Sequence, residues 1–167
     1  MIIWIIGFPG SGKSTFGRVL AKEANYSFID TDDNIEEEVG CSIKDFFANY
    51  GEEIFRKKET EILQKSAILK DVVIATGGGT PCFNNNMEFM NQTGITIYLK
   101  MDDDELTERL IRGKSKRPLI ADKSDDEIKH YVELNIKGRE KFYNMAKISA
   151  IKPNPSLILR AVQLFSK

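Results

Sequence analysis

The chain is 167 residues long and carries 24 basic against 25 acidic side chains, a length that suits one compact domain with a substantial core. This near-neutral balance argues against a general nucleic-acid or membrane-surface binder, which would show a basic excess or stripe, and makes small molecules the expected partners. No apolar run approaches the roughly 18 residues of a membrane span, and Cys41 and Cys82 lack both C-x-x-C and metal spacing, so a cytoplasmic protein with reduced thiols, beginning at Met1, is expected.

Ile2-Ile3-Trp4-Ile5-Ile6 is a continuous apolar run rich in β-branched side chains, the pattern of a strand buried on both faces. It leads directly into Gly7-Phe8-Pro9-Gly10-Ser11-Gly12-Lys13-Ser14-Thr15, which fits the phosphate-loop pattern G-x-x-x-x-G-K-[ST] at every required position. In such a loop backbone N–H groups wrap phosphate, Lys13 reaches the β- and γ-phosphates, and the Ser14 hydroxyl can ligate Mg²⁺. Gly10, Ser11, Gly12, Lys13, Ser14 and Thr15 are therefore the expected nucleotide contacts.

Phe16, Val19, Leu20 and Glu23 at helical spacing predict an amphipathic helix running to Ala24. A short strand, Ser27-Phe28-Ile29, then ends in Asp30-Thr31-Asp32-Asp33, a carboxylate cluster at the carboxyl end of a strand, where open α/β sheets bind ligands. Asp33 is the expected cap of the next helix. Helical pieces follow at about 34–39, 43–49 and 52–69, broken by Gly40 and Gly51, with Phe55, Ile62 and Leu69 marking a core stripe.

Asp71-Val72-Val73-Ile74-Ala75 reads as a third strand running into Thr76-Gly77-Gly78-Gly79-Thr80-Pro81, whose glycines let the backbone approach a neighbour closely. A helix near 84–92, a strand Ile95-Thr96-Ile97-Tyr98-Leu99 and a helix Asp102 to Arg112 come next. The polar, lysine-rich stretch 113–126 contains Arg117-Pro118-Leu119-Ile120; it cannot bury much and is expected to form a mobile lid. A long helix over 125–143, a short strand Lys147 to Ile151 and a final helix from Pro155 complete the alternation. Strands and helices in turn imply a parallel sheet with helices on both faces.

Arginine is rarer here than lysine, and its planar fork suits carboxylate or phosphate in two-pronged geometry. Ile128, Val132, Asn135, Arg139 and Phe142 share one face of the long helix, so Arg139 sits beside an apolar stripe and needs an anionic partner. Arg56 has Glu59 at i+3, either as a brace that fixes its rotamer or as a plain surface ion pair. Arg117 in the lid is placed to swing over phosphates, and Arg109 either stacks on a base or packs. Arg18, Arg112, Arg160 and the lone His130 read as surface residues. The third strand lacks the terminal Asp that often helps hold Mg²⁺, so that duty falls to Asp30 or Asp32. Asp30 could bind a metal water while Asp32 accepts the proton, or hydrogen bond, of an acceptor hydroxyl.

These residues, in this order, resemble the shikimate kinase family over nearly the whole chain. The loop Gly7 to Thr15, Asp30-Thr31-Asp32, Gly51-Glu52, Phe55-Arg56-x-x-Glu59, Gly77-Gly78-Gly79, Arg117-Pro118-Leu119 and the arginine within Asn135 to Tyr143 carry the likeness. The resemblance implies a three-layer α/β P-loop kinase fold with a five-stranded parallel sheet in the order 2-3-1-4-5. It implies one domain over 1–167, a lid at about 113–126 and a substrate-binding helical region at about 33–61. Asp32, Arg56, Gly78, Gly79 and Arg139 would hold shikimate, the two arginines clamping its carboxylate. Lys13 and Arg117 would stabilise the transferring γ-phosphoryl, Ser14 and, through water, Asp30 would hold one Mg²⁺, and Arg109 with Asn154 and Pro155 would flank adenine. The implied activity is ATP-dependent phosphorylation of the 3-hydroxyl of shikimate by a monomer. Two places depart from the family pattern: Thr80-Pro81 follows the glycines where a small or aliphatic residue is usual, and Lys152-Pro153 precedes Asn154. From the residues alone, a gluconate or nucleoside monophosphate kinase and a non-catalytic nucleotide-binding module stay open, because the arginines do not distinguish carboxylate from phosphate.

Overall fold

A computed structural model describes residues 1–114 and 120–165. The strand β1 (Ile2–Ile6) is buried along its whole length and lies between β3 (Val72–Ala75) and β4 (Ile95–Lys100). β2 (Ser27–Asp30) and β5 (Ile148–Ile151) form the edges, and all pairings are parallel in the order β2-β3-β1-β4-β5. This is the topology expected above.

Side-chain alternation along β1 explains the layers. Ile2, Trp4 and Ile6 point into one core, beneath α3 (Ile43–Ser66), α4 (Asn86–Thr93), α5 (Asp103–Arg112) and α6 (Asp125–Tyr143). Ile3 and Ile5 point into the other, beneath α1 (Lys13–Ala24) and α7 (Pro155–Leu164). Each large apolar side chain buried this way contributes about 1.5–3 kcal/mol, which is why a strand with no polar residue is stable only in the middle of the sheet. A third, smaller core of Ile35, Phe46, Phe55 and Ile62 joins α2 (Thr31–Val39) to α3. It underlies the helical region expected to bind substrate.

Register places the functional loops together. Ile5, Ala75 and Asp30 lie side by side near the carboxyl ends of β1, β3 and β2, so the loops that follow these strands open onto one crevice.

Several boundaries differ from expectation for local reasons. α1 begins at Lys13, inside the phosphate loop, because Gly12 takes a left-handed backbone (φ 88) and starts the helix there. Asp30, not Asp33, caps α2: the helix starts at Thr31, Asp30 is the last extended residue, and its carboxylate accepts the Asp32 N–H at 3.1 Å. α3 breaks at Gly51 (φ 79, ψ 174) as expected but stops at Ser66, so Leu69 lies beyond it, 40% exposed, and the core stripe ends with Ile62 and Leu63. A 3₁₀ turn at Thr80–Cys82 delays α4 to Asn86. α6 spans the expected residues, helped by a capping box between Ser124 and Glu127. Within the stretch read as a lid, Ile120 is buried in the main core and 125–126 belong to α6, so that stretch buries more than its polarity suggested. The Arg117-Pro118-Leu119 triplet lies outside the described residues.

Candidate active site

The donor side is built by the turn between β1 and α1. Lys13 is 9% exposed, and its Nζ donates to the carbonyls of Gly7 (3.0 Å) and Phe8 (3.1 Å), which ties the cation to the loop whose N–H groups it complements. The Ser11 hydroxyl is buried beside Gly7, with no hydrogen-bond partner among the described residues. A cavity of about 740 Å³ continues from this loop, lined by Ser11, Gly12, Thr15, Arg109, Lys152 and Pro155 among others. Arg109 is held by Glu105 at 2.8 Å and lies against Gly12, where an added Cβ would meet its guanidinium at 3.6 Å. Asn154 accepts the Leu157 N–H at 3.2 Å and so caps α7, while its neighbour Pro155 reaches the cavity.

The Ser14 hydroxyl donates to Asp30 Oδ2 at 2.5 Å, and the other Asp30 oxygen takes the Asp32 N–H. A hydroxyl and a carboxylate side by side are hard oxygen donors of the kind Mg²⁺ accepts, with room in its shell for water and phosphate oxygens. Asp32, the second residue of α2, is half-buried. Burial, the Asp30 carboxylate and, less strongly, Glu59 and Asp33 push its carboxyl up from 3.8 to about 7, against the opposing pull of Lys13. A carboxylate poised near neutrality can accept a proton from a hydroxyl and release it again.

The acceptor side is organised by the three glycines. A Cβ on Gly77 would lie 2.8 Å from Glu59 Oε1 and 3.0 Å from Asp32 Oδ1; on Gly78, 2.5 Å from Pro9 Cδ; on Gly79, 2.7 Å from Arg56 Nη1. The backbone therefore approaches a carboxylate pair, the phosphate loop and a guanidinium in three successive residues. Tyr143, packed 5.0 Å from Tyr98, donates its hydroxyl to the Gly78 carbonyl at 2.5 Å. One turn earlier on α6, Arg139 lies over the Phe8 ring at 5.3 Å and donates to Asn135 at 3.3 Å. Burial pushes the nearby Cys82 thiol up while Arg139 and Arg56 pull it down, so both cations act at one side chain beside the glycine turn.

Arg56 itself is paired with Glu59 (2.6 Å) and Glu52 (3.1 Å) and stacks over Phe83 at 4.2 Å. Glu59 is 3% exposed, which settles its role as a brace rather than a surface partner. Phe8, Pro9, Phe83 and Tyr143 escaped the sequence reading. Only Phe8 and Pro9 carried a local signal, their place inside the phosphate loop. His130 is exposed, as expected, and Arg117 lies outside the described residues.

A parallel sheet with a phosphate loop between β1 and α1, a cavity of about 740 Å³ beside that loop and a cluster of acidic and cationic side chains at the glycine turn define a P-loop kinase. The sequence model of the family described as Shikimate kinase matches residues 9–163, and the chain belongs to the shikimate kinase family. It is 53% identical over 148 residues to the shikimate kinase of Azobacteroides pseudotrichonymphae genomovar. CFP2, covering 87% of this chain and 86% of that one. It is 42% identical over 147 residues to that of Parabacteroides distasonis, covering 88% and 85%. The crystal structure of shikimate kinase from Bacteroides thetaiotaomicron matches with a TM-score of 0.88 at 37% identity over 99% of this chain and 96% of that one. The Acinetobacter baumannii enzyme in complex with shikimate matches at 0.84 with 31% identity, over 99% and 92%.

Proposed function

We propose that this protein transfers the γ-phosphoryl of ATP to the 3-hydroxyl of shikimate, releasing shikimate 3-phosphate and ADP for chorismate and aromatic amino-acid synthesis. The observation that carries this reading is the convergence of Asp32, Arg56 and the phosphate loop on the glycine turn, with Arg139 on the same side. Arg56 and Arg139 bind the substrate carboxylate, and the Gly78–Gly79 backbone forms the floor. Asp32 accepts the proton of the attacking hydroxyl. Lys13 follows the charge that builds on the phosphoryl oxygens and the leaving ADP. Arg117, from the lid, adds to that charge neutralisation. Gly10, Ser11, Gly12, Ser14 and Thr15 hold the phosphates, and Arg109, Asn154 and Pro155 bound the adenine side. Ser14 and, through water, Asp30 are the residues that would hold one Mg²⁺, which would supply charge neutralisation for the transferring phosphoryl group. Positioning and electrostatics carry the rate, since phosphoryl transfer asks little covalent chemistry of a protein. The reading includes a single domain over 1–167 acting as a monomer in the cytoplasm.

The test is ADP release from MgATP with shikimate, gluconate or AMP as acceptor. Shikimate alone should support turnover, and EDTA should abolish it. Turnover on AMP without turnover on shikimate would refute the assignment, and so would shikimate-independent ATP binding with no ADP release.

Arg139→Ala separates the two substrates. Losing a charge-assisted hydrogen bond of about 1.5–3 kcal/mol should raise the KM for shikimate roughly 10- to 100-fold. The KM for ATP should stay within about twofold, since Arg139 lies on the Phe8 side of the loop, away from the nucleoside cavity. Equal weakening of both substrates would remove Arg139 from the clamp.

A further inference from the structure

We infer that Thr80 is a positioning residue for the acceptor carboxylate: its hydroxyl occupies one oxygen of Glu59 and so leaves Arg56 with donors for the substrate. The inference rests on the reading in which Arg56 binds that carboxylate.

Thr80 is 1% exposed and Glu59 3%. A carboxylate so buried must have both oxygens satisfied or bear a large desolvation cost. Arg56 Nη1 donates to Oε2 at 2.6 Å, and the Thr80 hydroxyl donates to Oε1 at 2.6 Å. Glu59 Oε1, the Thr80 hydroxyl and Asp32 Oδ1 converge on Gly77, 2.8, 2.9 and 3.0 Å from where a Cβ would sit, so the other side chain gathered there is a second carboxylate and not a donor.

The count of Arg56 donors shows what the hydroxyl accomplishes. A guanidinium has five N–H groups. Nε and Nη2 each give one to Glu52, and Nη1 gives one to Glu59, so each terminal nitrogen keeps one N–H uncommitted. A carboxylate takes such a pair in two-pronged geometry. With the hydroxyl absent, the strongest donor able to serve Oε1 is Arg56 itself, which would close on Glu59 with both prongs and leave the substrate with fewer.

The hydroxyl is delivered from the sheet, not from α3. Thr80 N–H bonds to the Gly77 carbonyl at 3.2 Å, and Asn86 Nδ2 donates to the Thr80 carbonyl at 3.0 Å, which fixes the turn following β3. The Thr80–Glu59 bond thus ties the helix that carries Arg56 to the rigid part of the fold.

The experiment is steady-state kinetics of the full chain with Thr80→Val, Thr80→Ala, Thr80→Ser, Arg56→Ala and the double variant T80V/R56A. T80V and T80A should raise the KM for shikimate about tenfold, with kcat and the KM for ATP within about twofold. T80S keeps the hydroxyl and should match the wild type. T80V should add nothing to R56A, because Thr80 acts through Arg56. Wild-type KM in T80V, a T80S variant as impaired as T80V, or effects of T80V and R56A that multiply would each overturn the inference. If T80V loses its helical circular dichroism, T80A makes the same comparison. Failure of the wild-type chain to phosphorylate shikimate would overturn the functional reading and the inference with it; a working wild type matched by T80V overturns the inference alone.

Discussion

Lys13→Ala should lower kcat about 10³-fold while the far-UV circular dichroism stays that of the wild type. Removing a fixed cation from a site where charge develops costs about 10²–10³ in other electrostatic sites and more where a phosphoryl group is transferred. Here the ammonium is almost fully withdrawn from water and held between the Gly7 and Phe8 carbonyls. A cation tethered in advance needs no reorganisation as the reaction proceeds. The fold should survive because Lys13 opens α1, where alanine keeps the helical backbone and leaves the buried apolar cores untouched. ATP affinity should fall as well. A K13A enzyme within tenfold of wild-type kcat would mean that backbone N–H groups alone neutralise the transferring phosphoryl.

Asp32→Asn should do two things of opposite sign: reduce kcat about 10²–10³-fold and make the protein more stable above neutrality. The second effect follows from the raised pKa. A carboxyl that holds its proton to about pH 7 in the folded state, against 3.8 ordinarily, favours folding when protonated. That contribution is fully present below pH 4 and is lost as pH rises through 7. The wild type should therefore give up about 3–4 kcal/mol from this group between pH 4 and pH 8, roughly 6–15 °C in Tm, and the neutral amide should not. Thermal melts at the two pH values check this: D32N and wild type should coincide at pH 4 and separate at pH 8, with D32N the higher. The acid limb of the wild-type rate, where ionised Asp32 becomes scarce below about pH 7, should be missing from the residual D32N activity. Equal melting at both pH values would mean that Asp32 is not held ionised at a cost, and its assignment as the proton acceptor would fall.

The two variants bear on different kinds of information in the chain. Lys13 was identifiable at once because the phosphate loop is contiguous: its conformation depends on where glycines permit left-handed backbone, and its charge and hydroxyl follow at fixed offsets. The strand order was accessible through the resemblance, and the strand before the loop through its unbroken apolar run. Helix α6 was accurate to the residue because its cap, period and length are all local. Asp33 was chosen as a cap over Asp30 because three nearby aspartates carry the same propensity, and which one is last in extended backbone depends on how far β2 pairs with β3.

Arg56 and Glu59 show where local information stops. Spacing of i and i+3 predicts that they meet, but a surface pair and a buried brace have the same spacing. The difference is burial, and burial came from the 3₁₀ turn that brings Thr80 onto Glu59 from 21 residues away. Tyr143 on the Gly78 carbonyl spans 65 residues, and Pro9 against Gly78 joins two loops that are neighbours only because β1 pairs with β3. The chain alone thus specified the phosphate donor site, the kinds of element and the residues able to handle charge, since each of these is written in a short window. Which of those residues share a pocket, and which carboxylate is satisfied by which donor, were set by strand register and helix packing, because contacts between distant segments exist only once the sheet has brought their loops together.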